Sequence, residues 1–122
     1  MTQPPVQIKR IYQAAGPDDG QRVLVDRLWP RGISKERAAL DLWLPEVAPS
    51  NELRTWFNHD DERWNEFEQR YREELRTNTH LETLVELSRH GSLTLLYGAK
   101  NEAHNQAVVL RAVVAEQAVE DR

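Results

Sequence analysis

The sequence predicts one α/β domain, a small and mostly parallel sheet of about three strands covered by helices. Three observations carry this. Two apolar runs, Val23 to Val25 and Leu93–Tyr97, are short and bounded by turn formers, as buried strands are. Between them, apolar residues recur every three or four positions, the mark of amphipathic helices. Strands separated by helices are joined by parallel, right-handed crossovers.

The elements follow in order. Residues 7–12 alternate polar and apolar side chains and are expected to form a first strand. The loop of about nine residues after Tyr12 is short for a parallel crossover, which typically takes about a dozen or more. Antiparallel pairing with residues 22–28 therefore stays open. Residues 16–20, Gly-Pro-Asp-Asp-Gly, form a surface turn. The strand at 22–28 ends at Pro30 and Gly32. Ser34 caps a short helix over 35–39, and Leu40, Leu42, Trp43 and Leu44 read as core wall stopped by Pro45. Ser50 caps a helix through Phe57.

Trp64, Phe67, Tyr71 and Leu75 share one helical face, with Asp60, Asp61 and Glu62 at its positive end. The run Thr79-His80-Leu81-Glu82 matches a capping box, opening a helix that Gly91 closes. After Leu93–Tyr97, Gly98, Ala99 and Lys100 lead to a helix that Asn101 would cap. Its apolar stripe is Ala103, Ala107, Leu110, Val114 and Ala118. Residues 1–5 are expected to be a loose lead-in and 119–122 a frayed end. No repeat or linker divides residues 1–122, so they form a single domain.

Composition narrows the function. The chain has no cysteine, which removes disulfides, thiol nucleophiles and cysteine metal sites. Its histidines, at 59, 80, 90 and 104, show no metal-ligand spacing, so no metal is expected and no cofactor is legible. No apolar stretch is long enough to span a membrane, and no signal core precedes residue 10, so a cytoplasmic protein is expected. The net charge of −4 argues against a long nucleic-acid interface. The charge is uneven, however. Residues 22–37 hold Arg22, Arg27, Arg31, Lys35 and Arg37 against Asp26 and Glu36, whereas residues 60–86 are acidic.

In open α/β sheets, ligands bind beyond the carboxyl ends of the strands. One such end carries Asp26, Arg27, Trp29 and Arg31. The other carries Tyr97, Lys100, Asn101, His104 and Asn105. If the two strands are neighbours, these sets converge on an anion site. Arg27 and Arg31 can grip a phosphate or carboxylate in bidentate fashion, and Lys100 adds a point charge. Gly98 would let the backbone approach a ligand closely, beside the free N–H groups of the helix expected at Asn101. Trp29 or Tyr97 can stack on a ring. Asp26 or His104 would serve as general base or acid.

Each residue also has a structural reading. Asp26 and Arg27 can form ion pairs, Trp29 can be core, Lys100 a solvated lysine, His104 a surface histidine and Asn101 a helix cap. No phosphate-binding glycine loop and no Gly-x-Ser-x-Gly elbow occurs.

The stretches VDRLWPRGISKE, LDLWLPEVAPS, LRTWF, the W-x2-F-x3-Y spacing from Trp64 to Tyr71, and LTLLYGAKNEAHNQAVVL appear in this order. Together they resemble the YeaO-like bacterial proteins of the DUF488 family. The resemblance runs from about Ile8 to Val114. It implies a small cytoplasmic α/β protein and supplies no activity, substrate or cofactor. The family's recurrent polar positions fall here on Asp26, Arg27, Trp29, Pro30, Arg31, Gly32, Lys100, His104 and Asn105. Longer relatives carry cysteines near the last strand end, and this chain carries none.

The leading expectation is an enzyme, or an enzyme-derived binder, for a small phosphorylated or nucleotide-like anion. Two others stand beside it. One is a nucleic-acid-binding module using residues 22–37 with Trp29. The other is a protein-interaction module in which Trp43, Trp56 and Phe57 form an exposed patch. Oligomeric state is not legible in the sequence.

Overall fold

A computed structural model describes residues 6–120, with side-chain surroundings through Val119. The expected loose lead-in at 1–5 lies outside the described residues. Four strands form one parallel sheet: β1 (Val6–Arg10), β2 (Gln21–Leu24), β3 (Leu42–Trp43) and β4 (Leu93–Tyr97). Their order is β1-β4-β2-β3, so the sheet has one strand more than the three expected. The helices are α1 (Lys35–Ala38), α2 (Asn51–Phe57), α3 (Trp64–Arg76), α4 (Leu81–His90) and α5 (Gln106–Glu120). None of them is long and apolar enough to cross a membrane.

The sheet is covered on both faces, which explains the unbroken apolar runs. On one face Val23, Val25, Leu93, Leu95 and Tyr97 pack against α2 to α5, in the larger core. On the other, Leu24 and Leu96 meet Ile11, Ile33 and Ala38. Alternate residues of β2 and β4 thus serve two cores. Residues Trp64, Phe67, Tyr71 and Leu75 sit on the expected face of α3, with Phe57 stacked on Phe67 at 4.3 Å.

The first strand pairs with β4, parallel, and not antiparallel with β2. The connecting loop therefore crosses the end of β4. It must span about 10 Å sideways and about 13 Å back along the strands, within reach of ten residues extending about 3.4 Å each. A helix is not needed because the loop is stapled instead. Lys9 Nζ meets Asp19 Oδ1 at 2.8 Å, Gly16 N–H donates to Asp19 Oδ2, and Asp19 also pairs with Arg22. Gly20 then turns with φ +64°, and a Cβ there would lie 2.2 Å from Ser92 O.

Local capping corrects several expectations. Ser34 and Ser50 do cap α1 and α2, accepting from Arg37 N–H and Leu53 N–H. The capping box at 79–82 does not form. Asn78 Oδ1 accepts from His80 N–H in the turn before α4, and no side chain caps the helix itself. Gly91 is extended, not left-handed. The last helix starts at Gln106, five residues beyond Asn101. Ala103 is consequently exposed in the preceding turn, and Ala107, Leu110, Val114 and Ala118 form the buried stripe. Helix α5, expected to fray from residue 119, is described as helix through Glu120. Residues 121 and 122 lie outside the described residues.

Candidate functional site

The register of β2 and β4 brings their exits together. Leu24 pairs with Leu96, and Val25 N–H donates to Leu96 O. Two residues further along each chain, Asp26 and Gly98 arrive side by side, with Gly98 N–H donating to Asp26 Oδ2 at 2.8 Å. Gln106, the first residue of α5, donates its amide N–H to Asp26 Oδ1. One carboxylate thus joins the β2 exit, the β4 exit and the start of α5. Burial pushes its pKa up to about 6, against the opposing pull of the Gly98 and Gln106 donors. A Cβ on Gly98 would sit 2.9 Å from Asp26 Oδ2. The close approach that Gly98 permits is therefore to Asp26, not to a ligand.

A cleft of about 440 Å³ opens beside Asp26. Arg27, Leu28, Ala48 and Pro49 form one side, and His104, Asn105 and Gln106 another. Helix α2 and the turn after it contribute Arg54, Thr55, Phe57, Asn58 and His59. The volume suits a small molecule. Arg27 is anchored, its Nη2 donating to Pro49 O at 3.0 Å and Ala48 O at 3.3 Å, its Nε to Pro49 O. Nη1 has no described partner.

His104 is fixed on three sides. Nδ1 lies 2.9 Å from Asp61 Oδ1, the ring stacks on Trp64 at 4.6 Å, and its backbone N–H donates to Asn101 Oδ1. A carboxylate at one ring nitrogen sets the orientation of the imidazole and leaves Nε2 to face other partners. Asn101 also donates to Asp61, and Asn105 caps α5 by accepting from Val108 N–H.

Of the residues singled out from sequence, Asp26, Arg27, His104 and Asn105 line the cleft, and Asn101 braces it from behind. Four lie elsewhere. Trp29 donates to Ile33 O and meets Trp43 edge-on at 5.6 Å, on the smaller core. Arg31 is exposed, its carbonyl accepting from Tyr12 Oη. Lys100 is exposed outside the cleft. Tyr97 is buried, and burial raises its phenol pKa. The chain leaves β2 toward the cleft at Asp26 and Arg27, then turns away at Trp29, so the two ends of VDRLWPR part company.

Arg54, His59 and Gln106 are cleft residues that sequence reasoning missed. For Gln106 a signal existed, since it directly follows the His104-Asn105 pair. Arg54 and His59 reach the cleft only through the packing of α2. The patch expected from Trp43, Trp56 and Phe57 does not form. Phe57 is buried, Trp56 lies between the guanidinium groups of Arg63 and Arg70, and Trp43 donates to Asp26 O. Among the described residues no three His, Asp or Glu side chains gather as a metal site would require.

Fold and cleft together define a small doubly covered parallel α/β domain with its pocket at the carboxyl ends of the strands. The chain belongs to the DUF488 family: the model described as "Inactive DUF488-N3 subclade" matches residues 5–122. It is 44% identical over 106 residues to the uncharacterized protein YeaO of Escherichia coli K12, covering 86% of this chain and 92% of that one. It is also 44% identical over 105 residues to the uncharacterized protein Rv3073c of Mycobacterium tuberculosis H37Rv, covering 86% and 89%. No solved structure matches the chain.

Proposed function

We propose that the cleft binds a small phosphorylated or nucleotide-like anion, and that the protein is an enzyme-derived binder. One observation carries this reading. Arg27, Arg54, His59 and His104 line a single ligand-sized cleft in a chain whose net charge is −4. The guanidinium groups of Arg27 and Arg54 put positive charge there in an acidic protein, which favours an anion. Arg27 offers a guanidinium held in position by backbone carbonyls, so little freedom is lost when it grips an oxyanion. His104, held by Asp61 and Trp64, offers Nε2. Leu28, 65% exposed at the lip, gives an apolar part of the ligand something to cover. The family's description as inactive supports binding without turnover. A cytoplasmic setting belongs to the same proposal, in keeping with a chain free of cysteine.

The nucleic-acid reading is disfavoured by one finding: Arg22, counted in the basic segment, is 4% exposed and paired inside the domain. The test is a thermal-shift and calorimetric screen with inorganic phosphate, nucleotides and sugar phosphates. Arg54→Ala and His104→Gln should each weaken the best ligand about tenfold, as loss of a charge-assisted hydrogen bond does. Stability should fall by no more than about 1 kcal/mol, because both side chains reach the surface. Failure of every anion to bind, or variants that bind like the parent, would discard the reading. A steep salt dependence would favour nucleic acid instead.

A further inference from the structure

We infer that the turn at Asn58 and His59 is a ligand-contacting rim of this cleft, with His59 placed against the anionic group of the ligand. The inference rests on the anion-site reading above and adds a specific contact to it. Two consecutive residues that are not glycine have left-handed backbones here, Asn58 at φ 46° and His59 at φ 54°. Asn58 has a structural reason for this: it ends α2, its N–H donating to Arg54 O, and asparagine tolerates the conformation. His59 takes its conformation from the same turn, which Asp60 N–H closes by donating to Phe57 O at 2.9 Å around two left-handed residues. Its side chain is exposed, and its imidazole has no described hydrogen-bond partner. Its ring is tilted 47° against that of Phe57, with centroids 6.4 Å apart.

Left-handed backbone costs free energy at a residue with a Cβ, and it persists where surroundings impose it. Here the turn has one evident consequence. It sets His59 on the cleft wall with Asn58, in the cleft that His104 and Asn105 also line. The two imidazoles differ in how they are held. His104 is braced by Asp61 and Trp64, whereas His59 meets the Phe57 ring and has no described hydrogen-bond partner. His59 carries a ring N–H in either tautomer, a donor suited to a phosphate oxygen.

The test compares the full chain with His59→Gly and His59→Asn, using inorganic phosphate and phenyl phosphate as probes in calorimetric titrations at low salt. Both substitutions suit a left-handed backbone and remove the imidazole. The expected result is a melting midpoint no lower than that of the parent, with phosphate affinity weakened about threefold to tenfold in both. Variants that bind like the parent overturn the His59 contact while leaving the anion site in place. A midpoint lowered in both shows a structural role for the imidazole and likewise overturns it. A parent that binds neither probe removes the anion site and this contact with it.

Discussion

The two ends of β2 each carry a buried or half-buried aspartate, and the two behave in opposite ways. Asp19, before the strand, is 4% exposed and meets two cations, Lys9 and Arg22. Burial pushes its pKa up, but Lys9, the Gly16 N–H and Arg22 together carry it below the ordinary carboxylate range. Asp26, after the strand, receives only neutral donors from Gly98 and Gln106, and burial prevails. At the first end every charge is matched: Arg22 also donates to Ala38 O and Ala39 O, and Thr94 Oγ donates to Asp19 O. At the second, Arg27 and Arg54 line the cleft with no ion-pair partner among the described residues. A closed network holds a loop; an open one is available to a ligand.

The largest way to break this contrast is Asp19→Ala. It would leave the Arg22 charge buried without its carboxylate, which costs about 3–5 kcal/mol. Urea denaturation should register that loss, and a loss below about 1 kcal/mol would mean the network is not structural.

The second is a matter of sign. The folded pKa of Asp26 lies above its unfolded value, so the folded state binds the extra proton. The stability this contributes is present in acid and is lost as pH rises through about 6. Asp19 does the reverse, its contribution being present at neutral pH and lost as acid titrates it. Asp26→Asn should therefore remove a decline of about 1–2 kcal/mol between about pH 4 and pH 7. Denaturant midpoints measured across that range check it. A parent and variant with parallel profiles would contradict the environment described for Asp26.

The smallest test sharpens the closed end. Thr94→Val keeps the shape and removes the donor to Asp19 O, at a cost of about 1 kcal/mol. A neutral result would show that water replaces the hydroxyl easily and that the network is looser than its geometry.

Much of this was legible in the sequence. Parallel β2 and β4 follow from two apolar runs with helices between them, and the face of α3 follows from the spacing of Trp64, Phe67, Tyr71 and Leu75. The convergence of Asp26 with the segment after β4 was readable as a consequence of neighbouring parallel strands. What was not readable was direction beyond the strand ends. Arg27 and Arg31 lie four residues apart and look equivalent, yet only Arg27 lines the cleft, because the chain turns away at Trp29. Lys100 is equally basic and faces solvent.

Periodicity and turn chemistry are local, so the chain by itself determined the kinds of elements, the two-faced burial of its central strands and the absence of thiol chemistry. The placement of β1 beside β4, the start of α5 at Gln106 and the arrival of Arg54 and His59 at the cleft were decided only by tertiary structure. These depend on contacts made in three dimensions: the Lys9–Asp19–Arg22 pairing, the Asp61–His104 bond and the packing of Phe57 on Phe67. No spacing rule along the chain encodes which of several similar charges such contacts will enclose.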